Sequence, residues 1–228
     1  MQLFIGNKNY SSWSLRPWLL MRELGIAFDE VALRFDSFAD DSTFKRDVLA
    51  VNPAGRVPVL VDDGFAVWDT LAIAEYVAER FPDAGVWPAD AKARARARSL
   101  CAEMHSGFGQ LRQWFPMNIE ADLHHVGHHV LHKQPGAKRD LERMTQLWTD
   151  ALAASGGPFL FGAFSNADAY FAPVVSRIVT YGLLVPPELQ PYLDRIQSLP
   201  AMQQWKRDAL AEHDWVADDE PYREQPAA

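Results

Sequence analysis

The chain has 228 residues, 48% of them apolar, and carries 22 Lys and Arg against 30 Asp and Glu for a net charge of −8. Domains mostly run to about 100–200 residues, so one or two packed domains fit, and the acidic balance argues against nucleic acid, which wants a basic surface. Cys101 is the only cysteine, which excludes an intramolecular disulfide, a CxxC redox pair and a Cys-ligated zinc site and fits a reducing cytoplasm.

The opening stretch MQLFIGNKNY lacks the basic and long apolar regions of a secretory leader. Lys8 and Arg16 interrupt any run of membrane length, so a soluble cytoplasmic protein is expected. Gln2 to Gly6 predicts a strand, followed by a polar turn from Asn7 to Ser12. Ser12 or Ser14 is placed to cap a helix that begins near Leu15, carries Leu19, Leu20 and Leu24, and ends at Gly25. Phe28 to Phe35 predicts a second strand, and Ser42 is a cap for a short helix with Phe44, Val48 and Leu49.

Asn52 to Phe81 is the most informative stretch. Val57 to Val61 is a run of β-formers, Asp62-Asp63-Gly64 a hairpin turn, and Phe65 to Trp68 a second apolar run. Asp69 or Thr70 then sits at an N-cap position before Leu71, Ile73, Ala74, Tyr76 and Val77, and Pro82 stops the helix. Pro58 stands at a strand start, where its missing N–H costs least, and is a candidate for the cis isomer. A cis bond there turns the N–H and C=O of Val57 outward, toward an extended ligand that pairs as a strand would. The helix start at Asp69-Thr70 offers a hydroxyl and amides to a carboxylate, while the Asp69 side chain suits an ammonium.

Residues 82–90 read as a linker, with two prolines and a glycine between periodic segments. Strand signals then cease. Ala91 to Phe115 and Ala137 to Ala154 predict helices rich in Ala, Arg and Leu. Between them, His124 to His132 (HHVGHHVLH) contains imidazoles at i,i+4 spacing, the spacing a metal needs on a helix. Gly127 and the absence of an acid within the cluster favour a flexible connector instead, and no metal enters the expected chemistry. Ser165 with Asp168 three residues on makes a capping box before Ala169 to Val175. Leu189 to Ser198 and Met202 to Trp215 predict two closing helices, and residues 218–228 a polar tail.

Two of these stretches resemble one family. Asn52-Pro53, Val57-Pro58 and Asp69-Thr70-Leu71-Ala72-Ile73 resemble the glutathione-binding segment of the cytosolic glutathione transferases, where an acid and a serine precede a helix. Ser165 to Asp168, with Phe and Gly just upstream, resembles the start of that family's core helix. The resemblance implies the glutathione transferase fold: an α/β thioredoxin-like N-terminal domain over residues 1–81, ordered β-α-β-α-β-β-α, and an all-α C-terminal domain over residues 91–217 that lines an electrophile pocket. It also implies a homodimer that takes glutathione as co-substrate, with no metal, and joins it to small electrophiles, a detoxifying chemistry.

Such an enzyme holds a thiolate at neutral pH although a free thiol titrates near ~8.5, and a hydroxyl donor beside a helix N-terminus is the simplest device. Tyr10-Ser11-Ser12-Trp13-Ser14-Leu15-Arg16 resembles the S-S-C-S-x-R run of the zeta class. Matched back from Arg16, the catalytic serine falls on Ser11, with Ser12 second and Ser14 as a cap. Trp13 replaces that class's cysteine, which weighs against isomerisation of maleylacetoacetate and against thiol transfer. By the same resemblance Val57 pairs with the cysteinyl backbone, Asp69 and Thr70 hold the γ-glutamyl end, and Arg56 or Lys45 takes the glycine carboxylate. Trp13, Phe108 and Trp114 are expected in the electrophile wall. The alternative is a non-catalytic glutathione-binding or protein-interaction module that keeps Pro58, Asp69 and Thr70 and lacks thiolate activation.

Overall fold

Residues 1–225 are described by the structure, a computed structural model. Alternating burial along β1 (Gln2–Ile5), with Leu3 and Ile5 inward, makes it a central strand of a four-stranded sheet. It runs parallel to β2 (Asp29–Ala32), with Leu3 opposite Glu30, and antiparallel to β3 (Val59–Asp62), with Leu3 opposite Leu60. β4 (Phe65–Trp68) pairs antiparallel with β3 across Asp63 and Gly64, whose φ values of 48° and 83° are those a two-residue hairpin requires. With α1 (Ser12–Glu23), α2 (Thr43–Leu49) and α3 (Thr70–Arg80) the order is the expected β-α-β-α-β-β-α.

Three local boundaries differ from expectation for identifiable reasons. β2 is shorter than Phe28 to Phe35 because the Phe35 amide turns to the Asn7 side chain (2.7 Å) and its ring packs on Phe38 and Phe44. α1 starts at Ser12 rather than near Leu15, since the Ser11 carbonyl already accepts the Leu15 amide at 3.1 Å. Neither Ser12 nor Ser14 caps it. Ser11 holds the N-cap position without a side-chain bond to a helix amide, and Ser14 is a buried acceptor for the Gly6 amide (3.1 Å). β3 opens at Val59, after a cis Val57–Pro58 bond.

The helical part comprises α4 (Ala91–Ser106), α5 (Gly109–Trp114), α6 (His124–Lys133), α7 (Pro135–Ser155), α8 (Asn166–Tyr181), α9 (Gln190–Ser198) and α10 (Pro200–Glu212). The helix expected from Ala91 to Phe115 is two. Phe108 takes the left-handed conformation (φ 53°), and Asp140 of α7 accepts the Leu111 amide (2.9 Å) in the first turn of α5. The flexible connector expected at His124 to His132 is corrected: it is helical. A Cβ on Gly127 would come within 1.9 Å of the Tyr181 carbonyl, so the glycine permits close approach of α6 to α8 rather than unwinding α6. Among the described residues no group of three or more His, Cys, Asp or Glu is arranged to hold a metal ion.

α8 is the core of this part and is buried along almost its whole length. Its capping box at Ser165 is present, with Asp168 accepting the Ser165 and Leu160 amides at 3.0 and 3.1 Å. Burial nevertheless pushes the Asp168 carboxyl up to about 7. α1 lies against both α8 and α10, and these contacts fix the loop before α1. Lys8 pairs with Glu30 (2.8 Å) and Asp208 (2.6 Å) between the rings of Trp18 and Trp205. The tail is polar, as expected, and docked: Glu220 is buried and accepts from Tyr10 (2.7 Å) and Asn118 (2.8 Å), while the Tyr222 hydroxyl bonds the Trp114 carbonyl (2.9 Å). Residues 226–228 of that stretch lie outside the described residues.

Candidate active site

The corner before β3 is tied by a side chain that mimics backbone. Asn52 donates to the Arg56 carbonyl (2.7 Å) and accepts from the Ala54 amide (2.9 Å), closing the turn that presents Val57. Among the described residues no backbone partner is taken by the N–H or C=O of Val57. Opposite it, Asp69 adopts φ 74° at the N-cap of α3 and accepts the Leu71 amide at 2.9 Å. A non-glycine residue in that region stores strain of order 1–3 kcal/mol, which persists where the surroundings hold it and clusters at functional sites. Thr70 follows as the first helical residue, buried, its hydroxyl 2.8 Å from that of Tyr170 on α8. Trp13, Arg56, Val57, Pro58, Asp69 and Thr70 line a hollow of about 350 Å³ here.

A second hollow of about 630 Å³ adjoins it and shares Trp13, Arg56, Val57 and Arg112 with the first. Trp13 is the divide: the Arg16 guanidinium stacks on its ring at 4.0 Å, Arg112 lies 5.4 Å away and the His105 ring meets it edge-on at 5.5 Å. Arg16 is itself locked, bonded to the Ser12 and Tyr170 carbonyls, and burial lowers its pKa to about 9. Both candidate serines line the larger hollow, but in different states. The Ser11 hydroxyl is bonded to that of Ser14 at 2.7 Å, whereas the Ser12 hydroxyl has no protein partner among the described residues. Tyr10 is engaged elsewhere, its hydroxyl donated to Glu220, and burial raises its pKa.

The far wall of the larger hollow is cationic in an acidic protein. Arg177 of α8 is 4% exposed, gives Nε to the Phe115 carbonyl (2.7 Å) and leaves Nη1 unpartnered. Burial lowers its pKa to about 10. Arg112 gives Nη2 to the Gly107 carbonyl (3.1 Å) and leaves Nε unpartnered. Neither has a carboxylate within ion-pair distance among the described residues. Asp219, from the tail, also lines this wall, and burial raises its carboxyl to about 6. Buried guanidinium donors without acceptors are costly to leave unmade, so an anionic group is the natural complement.

The expected residues thus gather unevenly. Ser11, Ser12, Trp13, Lys45, Arg56 and Val57 border the larger hollow, and Pro58, Asp69 and Thr70 the smaller. Phe108 and Trp114 border neither: Phe108 is buried at the start of α5, and the Trp114 indole turns to Gln110 (3.3 Å). His105, Arg112, Tyr170, Arg177 and Asp219 were not foreseen. Only Arg177 left a signal, as the one charge inside the apolar run Val174 to Val179.

The sequence profile of the glutathione S-transferase N-terminal domain matches residues 10–80. Most of the chain is similar to the stringent starvation protein A homolog of Haemophilus ducreyi, 26% identical over 188 residues that make up 80% of this chain and 77% of that one. A stretch of 125 residues is 33% identical to the maleylacetoacetate isomerase of Pseudomonas aeruginosa, covering 50% of this chain and 57% of that protein. Among solved structures, a glutathione transferase homolog from Burkholderia with bound glutathione matches with a TM-score of 0.67 at 26% identity, over 92% of this chain and 98% of that one.

Proposed function

We propose that this chain, which belongs to the glutathione S-transferase family by its N-terminal domain and by its fold, binds glutathione with its γ-glutamyl end in the smaller hollow and its thiol at the edge of the larger, and turns that thiol on a carboxylate-bearing electrophile there. The observation that carries this reading is that the two hollows adjoin at Trp13, Arg56, Val57 and Arg112, and that the larger holds both an unpartnered serine hydroxyl and unpartnered guanidinium groups. Val57 pairs with the cysteinyl backbone, the first turn of α3 takes the γ-glutamyl carboxylate, Asp69 takes the ammonium, and Arg56 or Lys45 takes the glycine carboxylate. Ser12 donates to the sulfur and keeps it as thiolate at neutral pH. The thiolate attacks the electrophilic carbon, the S–C bond forms, and the leaving group departs with the bonding pair while Arg112 and Arg177 hold the substrate's carboxylate. The protein acts as a cytoplasmic homodimer in this reading. Phe65, 63% exposed on the edge strand β4, supports a second copy there. No helix among the described residues is long and apolar enough to cross a membrane.

A second reading is favoured by one observation: the Ser11 hydroxyl is already committed to Ser14, as in a site that binds the tripeptide without activating it. Thiolate absorbance of bound glutathione, followed against pH, separates the two. A thiol titrating below its free value supports the enzyme, an unshifted thiol the binding module, and absence of binding neither.

A further inference from the structure

We infer that His105 and Tyr170 are positioning residues that determine, by proton count, whether Thr70 can donate its hydroxyl to the ligand. The inference rests on the glutathione reading above and adds a requirement to it. Four side chains, Asp69 and Thr70 at the start of α3, His105 of α4 and Tyr170 of α8, form one chain of contacts: Thr70 Oγ1 lies 2.8 Å from the Tyr170 hydroxyl, His105 Nδ1 lies 2.9 Å from the same hydroxyl, and His105 Nε2 lies 3.3 Å from Asp69 Oδ2. The Tyr170 hydroxyl has one proton and two neighbours that both take part.

The Asp69 carboxylate only accepts, so Nε2 carries the proton when His105 is neutral, and Nδ1 is then an acceptor. Tyr170 spends its proton on Nδ1. Thr70 must in turn give its own proton to the Tyr170 oxygen, and nothing remains for a ligand carboxylate. When His105 takes up a second proton, Nδ1 becomes a donor to Tyr170, the tyrosine proton swings to Thr70 Oγ1, and the threonine proton is released toward the hollow. Burial holds the Tyr170 phenol up at about 12, so it stays protonated throughout. Thr70 therefore offers a donor to the γ-glutamyl carboxylate only when His105 is an imidazolium.

The charges around His105 are few. Asp69 faces it from the start of α3 and Tyr170 from α8; Arg112 of α5 reaches it only across the Trp13 indole, whereas Arg16 of α1, besides stacking on Trp13, lies 4.8 Å over the Tyr170 ring itself. Cys101, one turn earlier on α4, is buried, and burial raises its thiol well above the ordinary value. No other titratable group among the described residues touches the relay.

Calorimetric titration of the full chain with S-methylglutathione, whose sulfur does not titrate, tests the inference. Affinity is expected to be roughly tenfold higher at the acid end of the titration than at the alkaline end, one hydrogen bond to a charged acceptor. Tyr170→Phe frees Thr70 from the relay and is expected to bind with a flat profile, and His105→Gln, at a half-exposed position, is expected to be flat as well. A wild-type profile that is already flat, or an unchanged slope in both variants, overturns the inference while leaving the binding site intact. Absence of binding at every pH overturns the glutathione reading and this one with it.

Discussion

On the side of the cleft formed by β3 and α3, the groups that face the ligand are backbone and cap atoms set by their neighbours in the chain. Pro58 frees Val57, and Asp69 is turned outward by its own φ of 74°. On the facing side, Arg112, Arg177 and Asp219 come from α5, α8 and the tail, and each is brought there by helix packing. The first side offers a strand edge and a helix start, which suit an extended peptide with a free amino-acid end. The second offers charges without partners, which can be re-sorted by single substitutions. The contrast teaches that, on the proposed reading, recognition of glutathione and choice of its reaction partner are separable, one written into backbone geometry and the other into a handful of side chains.

The sharpest way to break that separation is at the sulfur, where the two sides meet. Ser12→Ala is expected to lower turnover by ~10²-fold with glutathione affinity unchanged, because only a bond to the developing thiolate is lost. Ser11→Ala is expected to fall within a few-fold of the parent. Steady-state rates beside calorimetric affinities read this, and a reversed order moves the role to Ser11. Next in size, Asp69→Asn keeps a good N-cap but removes the carboxylate that faces the ligand ammonium. Glutathione binding is expected to weaken about thirtyfold, within the range for hydrogen bonds to charged groups, and unchanged affinity would put the ammonium elsewhere.

On the opposite side, Arg112→Gln is expected to raise KM about tenfold for chlorodinitrobenzoate and to leave chlorodinitrobenzene unaffected, since only the first carries the carboxylate that the guanidinium would hold. Equal effects on both would mean that Arg112 shapes the wall rather than reading charge. The smallest effect concerns pH. Asp219 titrates at about 6, so below that value it is neutral and Arg177 is left to the substrate, while above it the new negative charge competes for the same guanidinium. KM for chlorodinitrobenzoate is therefore expected to rise a few-fold as pH climbs through that value, and Asp219→Asn is expected to remove the rise. A profile that falls instead would contradict the pairing.

The same contrast explains what the sequence disclosed. Pro58, Asp69 with Thr70, and the Ser165 capping box are local signals, each completed within a few residues, and the structure has all three as expected. The electrophile wall was not legible because it depends on where a helix breaks. Phe108 and Trp114 lie on what reads as one continuous helix, but the left-handed turn at Phe108 starts a new one, and it is Arg112 and Gln113 that reach the cleft. The serine loop falls between these cases. Its residue types were readable, whereas the Ser11 to Ser14 bond that distinguishes its two hydroxyls follows from a helix start one turn earlier than the apolar pattern indicates. Gly127 has the residue type of a helix breaker but serves close contact, a distinction only the Tyr181 carbonyl reveals.

On the proposed reading an extended tripeptide lies along the Val57–Pro58 corner with its amino-acid head at Asp69 and Thr70. A crystal structure of the chain soaked with glutathione tests it most directly. The expected density shows the cysteinyl N–H and C=O paired with Val57, the γ-glutamyl ammonium on Asp69 and the sulfur beside Ser12. A tripeptide seated anywhere else, or a corner closed to it, would contradict the account.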